Sequence, residues 1–391
     1  MRDFICDKVK DIKPSGIRKL FDIANEIPDV ISLGVGEPDF DTPWHIREEG
    51  IYSLQQGRTF YTSNAGLPEL REEICNYVKR KYKLTYDSKN EVIVTIGGSE
   101  AIDIALRAIL NPGDEVVYPE PCFVSYEACI KLAGGKAVPI PLSAETEFRL
   151  TKEQLEAAIT SKTKALIISY PNNPTGAIME KKDLEPIAEL AIKHDILVIT
   201  DEIYSELTYN KKHISIASMP QMQERTILIN GFSKAYAMTG WRLGYALAPK
   251  EIMKYLVKIH QFTIMSSPTT SQYAAVEALR NGDKDIETMA DSYNQRRRFL
   301  LASFKEMGLP CFEPYGAFYV FPDISQFGMT SEEFCTKLLQ SQKVAVVPGS
   351  AFGKCGDKHV RISYAYSLTQ LKEAMKRLKE FIKALRDDNN I

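Results

Sequence analysis

The chain has 391 residues, 44% of them hydrophobic, which allows a large core and two domains. Its 49 basic and 51 acidic residues leave a formal net charge of −2, so no field of one sign marks it out for nucleic acid or a membrane surface. The seven cysteines (Cys6, Cys75, Cys122, Cys129, Cys311, Cys335 and Cys355) are scattered and include no C-x-x-C pair; this argues against a disulfide framework or a zinc site and predicts reduced thiols in a cytoplasmic protein without a metal.

The opening stretch MRDFICDKVKDIKPSG alternates charged with apolar residues and lacks the apolar run of a signal peptide. From residue 91 onward, short β-rich runs alternate with helical ones. EVIVTIGG (91–98) reads as a buried strand, SEAIDIALRAIL (99–110) as a helix, and NPGDE as its stop. EVVYP, KALIISYP, ILVITDE and TILING are further strands, with helical segments such as DLEPIAELAIKHD between them. This alternation predicts an α/β fold, with a mainly parallel sheet covered by helices on both faces. The last hundred residues differ: helical stretches at 282–307 and 369–386 flank the strand-like GAFYVFPDI, KVAVVPG and HVRISYA. The expected division is a large domain over 46–281 and a smaller α+β domain over 282–391, with an N-terminal segment, 1–45, docked on the smaller one. Residues 387–391 read as a frayed end.

Ligands of an open parallel sheet bind beyond the carboxyl ends of its strands. Four polar clusters follow predicted strands: Gly97-Gly98-Ser99, Asn172-Asn173-Pro174-Thr175-Gly176, Asp201-Glu202-Ile203-Tyr204, and Ser233-Lys234 with Arg242 beyond. Each also has a plain reading. Ser99 at a helix start serves as a cap or, with free N–H groups, as part of an anion cup. NNPTG is a turn-forming run, Asp201 suits a helix cap, and a lone lysine is ordinarily a solvated one. Two features favour function. A carboxylate ending a buried strand is costly to hide without a cationic partner, and Lys234 sits among small and aromatic residues in GFSKAYAMTGW.

These runs, together with LGVGEPDFDTP, YTSNAGLPELR, GAFYVFP and VPGSAF, resemble the fold-type I pyridoxal-phosphate enzymes, specifically the aspartate-aminotransferase-like family, from SGIRK (15–19) to RISYA (361–365). The resemblance implies a large domain around a seven-stranded sheet, a smaller domain beside it, and a homodimer. It also implies pyridoxal 5′-phosphate as cofactor, amino acids and 2-oxo acids as substrates, and a ping-pong aminotransferase reaction with glutamate and 2-oxoglutarate as one pair. By position, Lys234 resembles the Schiff-base lysine that moves the proton, and Asp201 the carboxylate that keeps the pyridine nitrogen protonated. Tyr204 and Asn173 resemble the pair at the cofactor's phenolic oxygen. Phe123 takes the place of the ring stacked on the pyridine, and Gly98, Ser99 and Arg242 resemble the phosphate cup. Arg361 resembles the fork on the substrate α-carboxylate, Gly36 a backbone contact to it, and Tyr61 the tyrosine that crosses to the partner's phosphate.

Two departures bear on this reading. Where many members have a phosphate-binding serine three residues before the lysine, this chain has Gly231, which leaves Ser233 as the substitute. FTIMSSPTTSQ (262–272) lacks the arginine that acid-specific members supply to their partner, which points towards neutral, aromatic or extended substrates. Within the family, SGIRK and FGMTS (327–331) are most similar to bacterial N-acetyl-diaminopimelate and aromatic aminotransferases. A dinucleotide-binding enzyme is excluded because Gly34-Val35-Gly36 continues as Glu37-Pro38-Asp39. The alternative inside the family is a β-lyase acting on sulfur amino acids.

Overall fold

The computed structural model describes residues 3–12 and 27–389; SGIRK lies outside the described residues. The first eight strands are β1 (Ile31–Ser32), β2 (Val92–Thr95), β3 (Glu115–Glu120), β4 (Lys136–Pro141), β5 (Thr163–Ser169), β6 (Leu197–Asp201), β7 (Thr226–Gly231) and β8 (Gly244–Leu247). Seven of them form one sheet in the order β2-β8-β7-β6-β5-β3-β4. Only β8 runs against its neighbours; the remaining pairs are parallel. The expected α/β class, with a mainly parallel seven-stranded sheet, is thus what the chain adopts.

The period-two alternation of side chains explains the layering. Ile167, Ile199, Ile227 and Ile229 turn to one face, where they pack with Ala101, Ile104 and Ala105 of the helix Gly97–Ile109 and with Met253 and Leu256 of the helix Lys250–Thr263. Leu166, Ile168 and Val198 turn to the other face, against Leu184, Ile187 and Leu190 of the helix Lys181–Lys193. Central strands sandwiched in this way need apolar residues at consecutive positions, which is why they read as unbroken hydrophobic runs.

The C-terminal region adds β9 (Tyr319–Val320), β10 (Val344–Ala345), β11 (Val347–Pro348) and β12 (Val360–Ser363). β11, β12 and β9 form an antiparallel sheet, while β10 pairs in parallel with β1. The helices Asp283–Met307, Ser331–Gln342 and Leu368–Asn389 share one core with these strands, centred on Phe318, Phe334, Leu338, Leu371 and Leu378. The short helix Asp7–Lys10 lies instead beside the helix Ser125–Leu132.

Three sequence expectations are corrected. GAFYVFPDI is strand only at Tyr319–Val320, because Ala317 has a positive φ of 56° and Pro322 has no N–H to pair. The helix after β2 begins at Gly97, two residues early, so Ser99 is its third residue and not its cap. Residues 387–389 continue the last helix; no glycine or proline interrupts them, and Leu385, one turn back, is buried.

Candidate active site

The carboxyl ends of β2, β5, β6 and β7 lie along one edge of the large sheet, and the loop 33–42 reaches the residues there through the carbonyls of Gly36, to Lys234, and Gly34, to Arg361. Asp201, the last residue of β6, is 6% exposed. Its Oδ2 accepts from the Tyr126 hydroxyl at 2.7 Å and its Oδ1 from the Ile203 N–H at 3.2 Å. Burial raises its carboxyl pKa, and these neutral donors only partly offset that. The site therefore holds a buried carboxylate beside which a cationic nitrogen would be stabilised.

Lys234 follows β7 by three residues. Its Nζ donates to the Gly36 carbonyl and lies 5.8 Å from the Tyr204 ring centroid and 5.7 Å from that of Phe318. Burial lowers its pKa to about 8; Glu37 opposes the shift, while Arg361 and Arg242 reinforce it. A lysine in this state has a usable free-amine fraction near neutral pH. Arg361, on β12, is 4% exposed. Its Nη1 donates to Asn173 Oδ1 at 2.8 Å and its Nη2 to the Gly34 carbonyl, whereas its Nε is buried with no partner among the described residues. The guanidinium lies 4.5 Å from the Tyr319 ring centroid and 4.8 Å from that of Phe352. A buried cation with neutral acceptors and a spare N–H suits a carboxylate fork. Tyr204 shares a 2.7 Å hydroxyl bond with Tyr319, and burial raises its pKa. A Cβ on Gly36 would collide with the Tyr319 hydroxyl, so only glycine lets the loop pass here.

Beyond β2, Gly97, Gly98 and Ser99 open a helix whose N-cap, Ile96, has no side-chain cap bond. The first N–H groups of a helix have no intrahelical acceptor. A Cβ on Gly97 (φ +69°) would lie 2.8 Å from Arg242 Nη2, so that guanidinium covers the helix start. Free N–H groups under a guanidinium form an anion cup. Gly231 has a packing reason: a Cβ there would lie 3.0 Å from Gly244 Cα and 3.1 Å from the Leu243 carbonyl. Ser233, next to Lys234, is buried. Phe123 is half-buried, edge-on to Tyr126 at 5.7 Å, which brings it near Asp201. Tyr61 does not join these residues; it is 81% exposed on the chain's own surface.

Residues 28–378 match the family model of aminotransferase class I and II. The chain belongs to that family. It is 49% identical over 382 residues to an aspartate aminotransferase of Pyrococcus abyssi, covering 97% of this chain and 98% of the relative. It is 45% identical over 382 residues to aromatic-amino-acid aminotransferase 2 of Thermococcus litoralis, with 97% and 98% covered. The crystal structure of an aromatic aminotransferase from Pyrococcus horikoshii superposes with a TM-score of 0.90 at 47% identity, with 93% of this chain and 99% of that one covered. No helix among the described residues of this aminotransferase is long and apolar enough to cross a membrane.

Three site neighbours escape sequence reasoning. Tyr126 bonds to Asp201 across 75 positions, Tyr319 bonds to Tyr204 across 115, and Gly34 lends its carbonyl to Arg361 across 327. The signal available for Tyr126 was its place three residues after Phe123, on the same loop-to-helix turn. Tyr319 and Gly34 lie in runs already singled out, GAFYVFP and LGVGEPDF, but no spacing rule marks them.

Proposed function

We propose that this aminotransferase binds pyridoxal 5′-phosphate and moves an amino group between an L-amino acid and a 2-oxo acid by a ping-pong route, with glutamate and 2-oxoglutarate as one pair. The observation that carries this reading is the site's unbalanced charge. Arg361 and Asp201 are buried and Lys234 is half-buried beside them, and their hydrogen-bond partners among the described residues are all neutral groups. The residues fit the cofactor at three points: the anion cup of Gly98, Ser99 and Arg242 for its phosphate, Asp201 for its ring nitrogen, and the Lys234 amine for its aldehyde. When bound, pyridoxal phosphate supplies the carbonyl that captures the amino group and the conjugated ring that takes up the electron pair of the broken Cα–H bond.

The chain's own residues do the rest. Lys234 Nζ would hold the cofactor and, as a free amine, would carry the proton taken from the substrate Cα. Asp201 would keep the ring nitrogen protonated. Tyr204 and Asn173 would serve its phenolic oxygen, Phe123 its ring, and Ser233 its phosphate. Arg361 grips the α-carboxylate common to every amino acid, and the Gly36 backbone lies against it. Without an arginine in 262–272, the side-chain pocket suits neutral or aromatic substrates.

The test is a half-reaction. The cofactor-loaded chain is mixed with single amino acids while the absorption of the lysine-bound cofactor is followed. That band should vanish once per site and return on addition of a 2-oxo acid. Continuous product release with no oxo acid present would overturn the transamination reading. Borohydride reduction followed by peptide mapping should label Lys234; labelling of another lysine would overturn its role.

A further inference from the structure

The helix that opens the anion cup begins without an ordinary cap. Ile96 at its N-cap has no polar side chain, and the first turn carries a carboxylate, Glu100. An acidic residue there favours the helix dipole, but it also competes with any bound anion for the same positive field. Glu100 is held in a particular way. Its Oε2 accepts the Ile96 N–H, and its Oε1 faces His260 Nδ1, both at 2.5 Å. Both carboxylate oxygens are thus turned to protein groups.

His260 lies in the last turn of the helix Lys250–Thr263 and is wholly buried. Its Nε2 has no hydrogen-bond partner among the described residues, where the ring's polar contact is Glu100. Burying an imidazole with one nitrogen unpaired is costly, and packing would be served better by an apolar ring of similar size. The His260 carbonyl also accepts from Ile264 N at 2.8 Å and Met265 N at 2.9 Å, which anchors this helix end.

We propose that Glu100 and His260 form a positioning pair for the phosphate subsite: His260 restrains the Glu100 carboxylate so that the free N–H groups of Gly97, Gly98 and Ser99 remain available to a phosphate group. This rests on the reading of that helix start as a phosphate cup. Glu100 accepts from the Ile96 N–H and leaves the donors beyond it open. With His260 removed, Glu100 Oε1 loses its hydrogen-bond partner, and the carboxylate is free to turn towards the N–H groups of the first turn, where its charge repels the anion. Removing the Glu100 charge as well relieves that repulsion, whichever protonation state His260 held.

The test uses the full-length chain freed of cofactor and titrated, by absorbance, with pyridoxal 5′-phosphate and in parallel with pyridoxal. The ratio of the two affinities reports the phosphate subsite alone. His260→Phe should lower that ratio at least about tenfold, the scale of an added like charge near a partly buried anion. The double variant His260→Phe with Glu100→Gln should restore it, and pyridoxal affinity should stay constant throughout. A packing role for His260 would not be rescued by neutralising its neighbour. An unchanged ratio in His260→Phe, or a lowered ratio that the second substitution leaves low, overturns the proposal. If His260→Phe does not fold, Glu100→Gln alone decides: the ratio must hold or rise, and a fall overturns it. A wild-type chain that binds pyridoxal as tightly as its phosphate would instead overturn the phosphate cup itself.

Discussion

Arg361 is a buried cation held by neutral groups. Burial lowers its pKa, its acceptors are an amide and a carbonyl, and its Nε has no partner among the described residues. Such a guanidinium is stabilised most by a planar anion, which a lysine ammonium cannot fork onto. Arg361→Lys is therefore expected to lower kcat/KM roughly ten- to hundredfold, the scale of a lost charge-assisted hydrogen bond. The loss should be similar for every amino acid tested; an effect confined to one substrate would place Arg361 in the side-chain pocket. Asp201→Ala should leave the fold intact and cut kcat on the order of a hundredfold or more, the scale of a lost electrostatic contact to developing charge. Steady-state kinetics with a thermal-melt control checks this, and near-normal kcat would remove Asp201 from the chemistry. Lys234 and Asp201 could be singled out in the sequence because each closes or follows a predicted strand, whereas Arg361 was singled out by the family resemblance alone. Tyr126 and Tyr319 were not, because a tyrosine in a loop carries no sign of which distant side chain it meets.

Among the elements, the long strands of the large sheet were readable because burial on both faces demands continuous apolar runs, as in TILING and KALIISYP. The two-residue strands β9, β10 and β11 were not, since so few ladder bonds impose no pattern of their own. One joint between elements is proton-dependent. His45, at the start of the helix Trp44–Gln55, faces Glu277 Oε1 at 2.6 Å through Nδ1 and Asp285 Oδ2 at 3.0 Å through Nε2. Glu277 lies on the helix Thr269–Asn281, and Asp285 on the next helix, beyond Gly282. A neutral imidazole donates to only one of the two, whereas the imidazolium donates to both. Burial pulls the His45 pKa down, but the hydrogen bonds to Asp285 and Glu277 outweigh it, so the folded value is raised. A raised folded pKa means that the stabilisation is fully present below the unfolded value of about 6.5 and fades as pH rises through the folded one. In urea unfolding, the stability gap between the wild type and His45→Gln should be largest near pH ~5.5 and close above neutrality. A gap independent of pH would show that the contact does not depend on the proton.

At the scale of the whole molecule, the chain's own surface looks incomplete. Phe60 and Tyr61 are each 81% exposed, Phe262 is 82% exposed, and Trp44, Leu54 and Ile51 add further apolar area. Large exposed aromatics grouped in this way mark an interaction surface. The loop that carries Tyr61 is held firmly: Thr269 Oγ1 donates to the Phe60 carbonyl at 2.7 Å, Asn64 Nδ2 to the Met265 carbonyl at 2.8 Å, and Gln272 Nε2 to Thr62 Oγ1 at 3.0 Å. A tyrosine packed and bonded within its own subunit would be buried, and the 81% exposure of Tyr61 contradicts that role. A fixed loop that presents a solvated aromatic supports a homodimer in which Tyr61 reaches the partner's phosphate cup. The expected outcome is complementation. A Lys234→Ala chain lacks the amine in its own site, and a Tyr61→Ala chain withholds its ring from the other site. If sites are shared, each mixed dimer has one site with neither defect and one with both, so mixing two preparations of little or no activity should restore turnover once subunits exchange. Exchange is followed independently by mass-tagging one chain. Mixed dimers that form and remain inactive would mean that Tyr61 acts within its own chain. An active species sedimenting as a monomer would exclude the shared site altogether, because an intact site would then need nothing from a second chain.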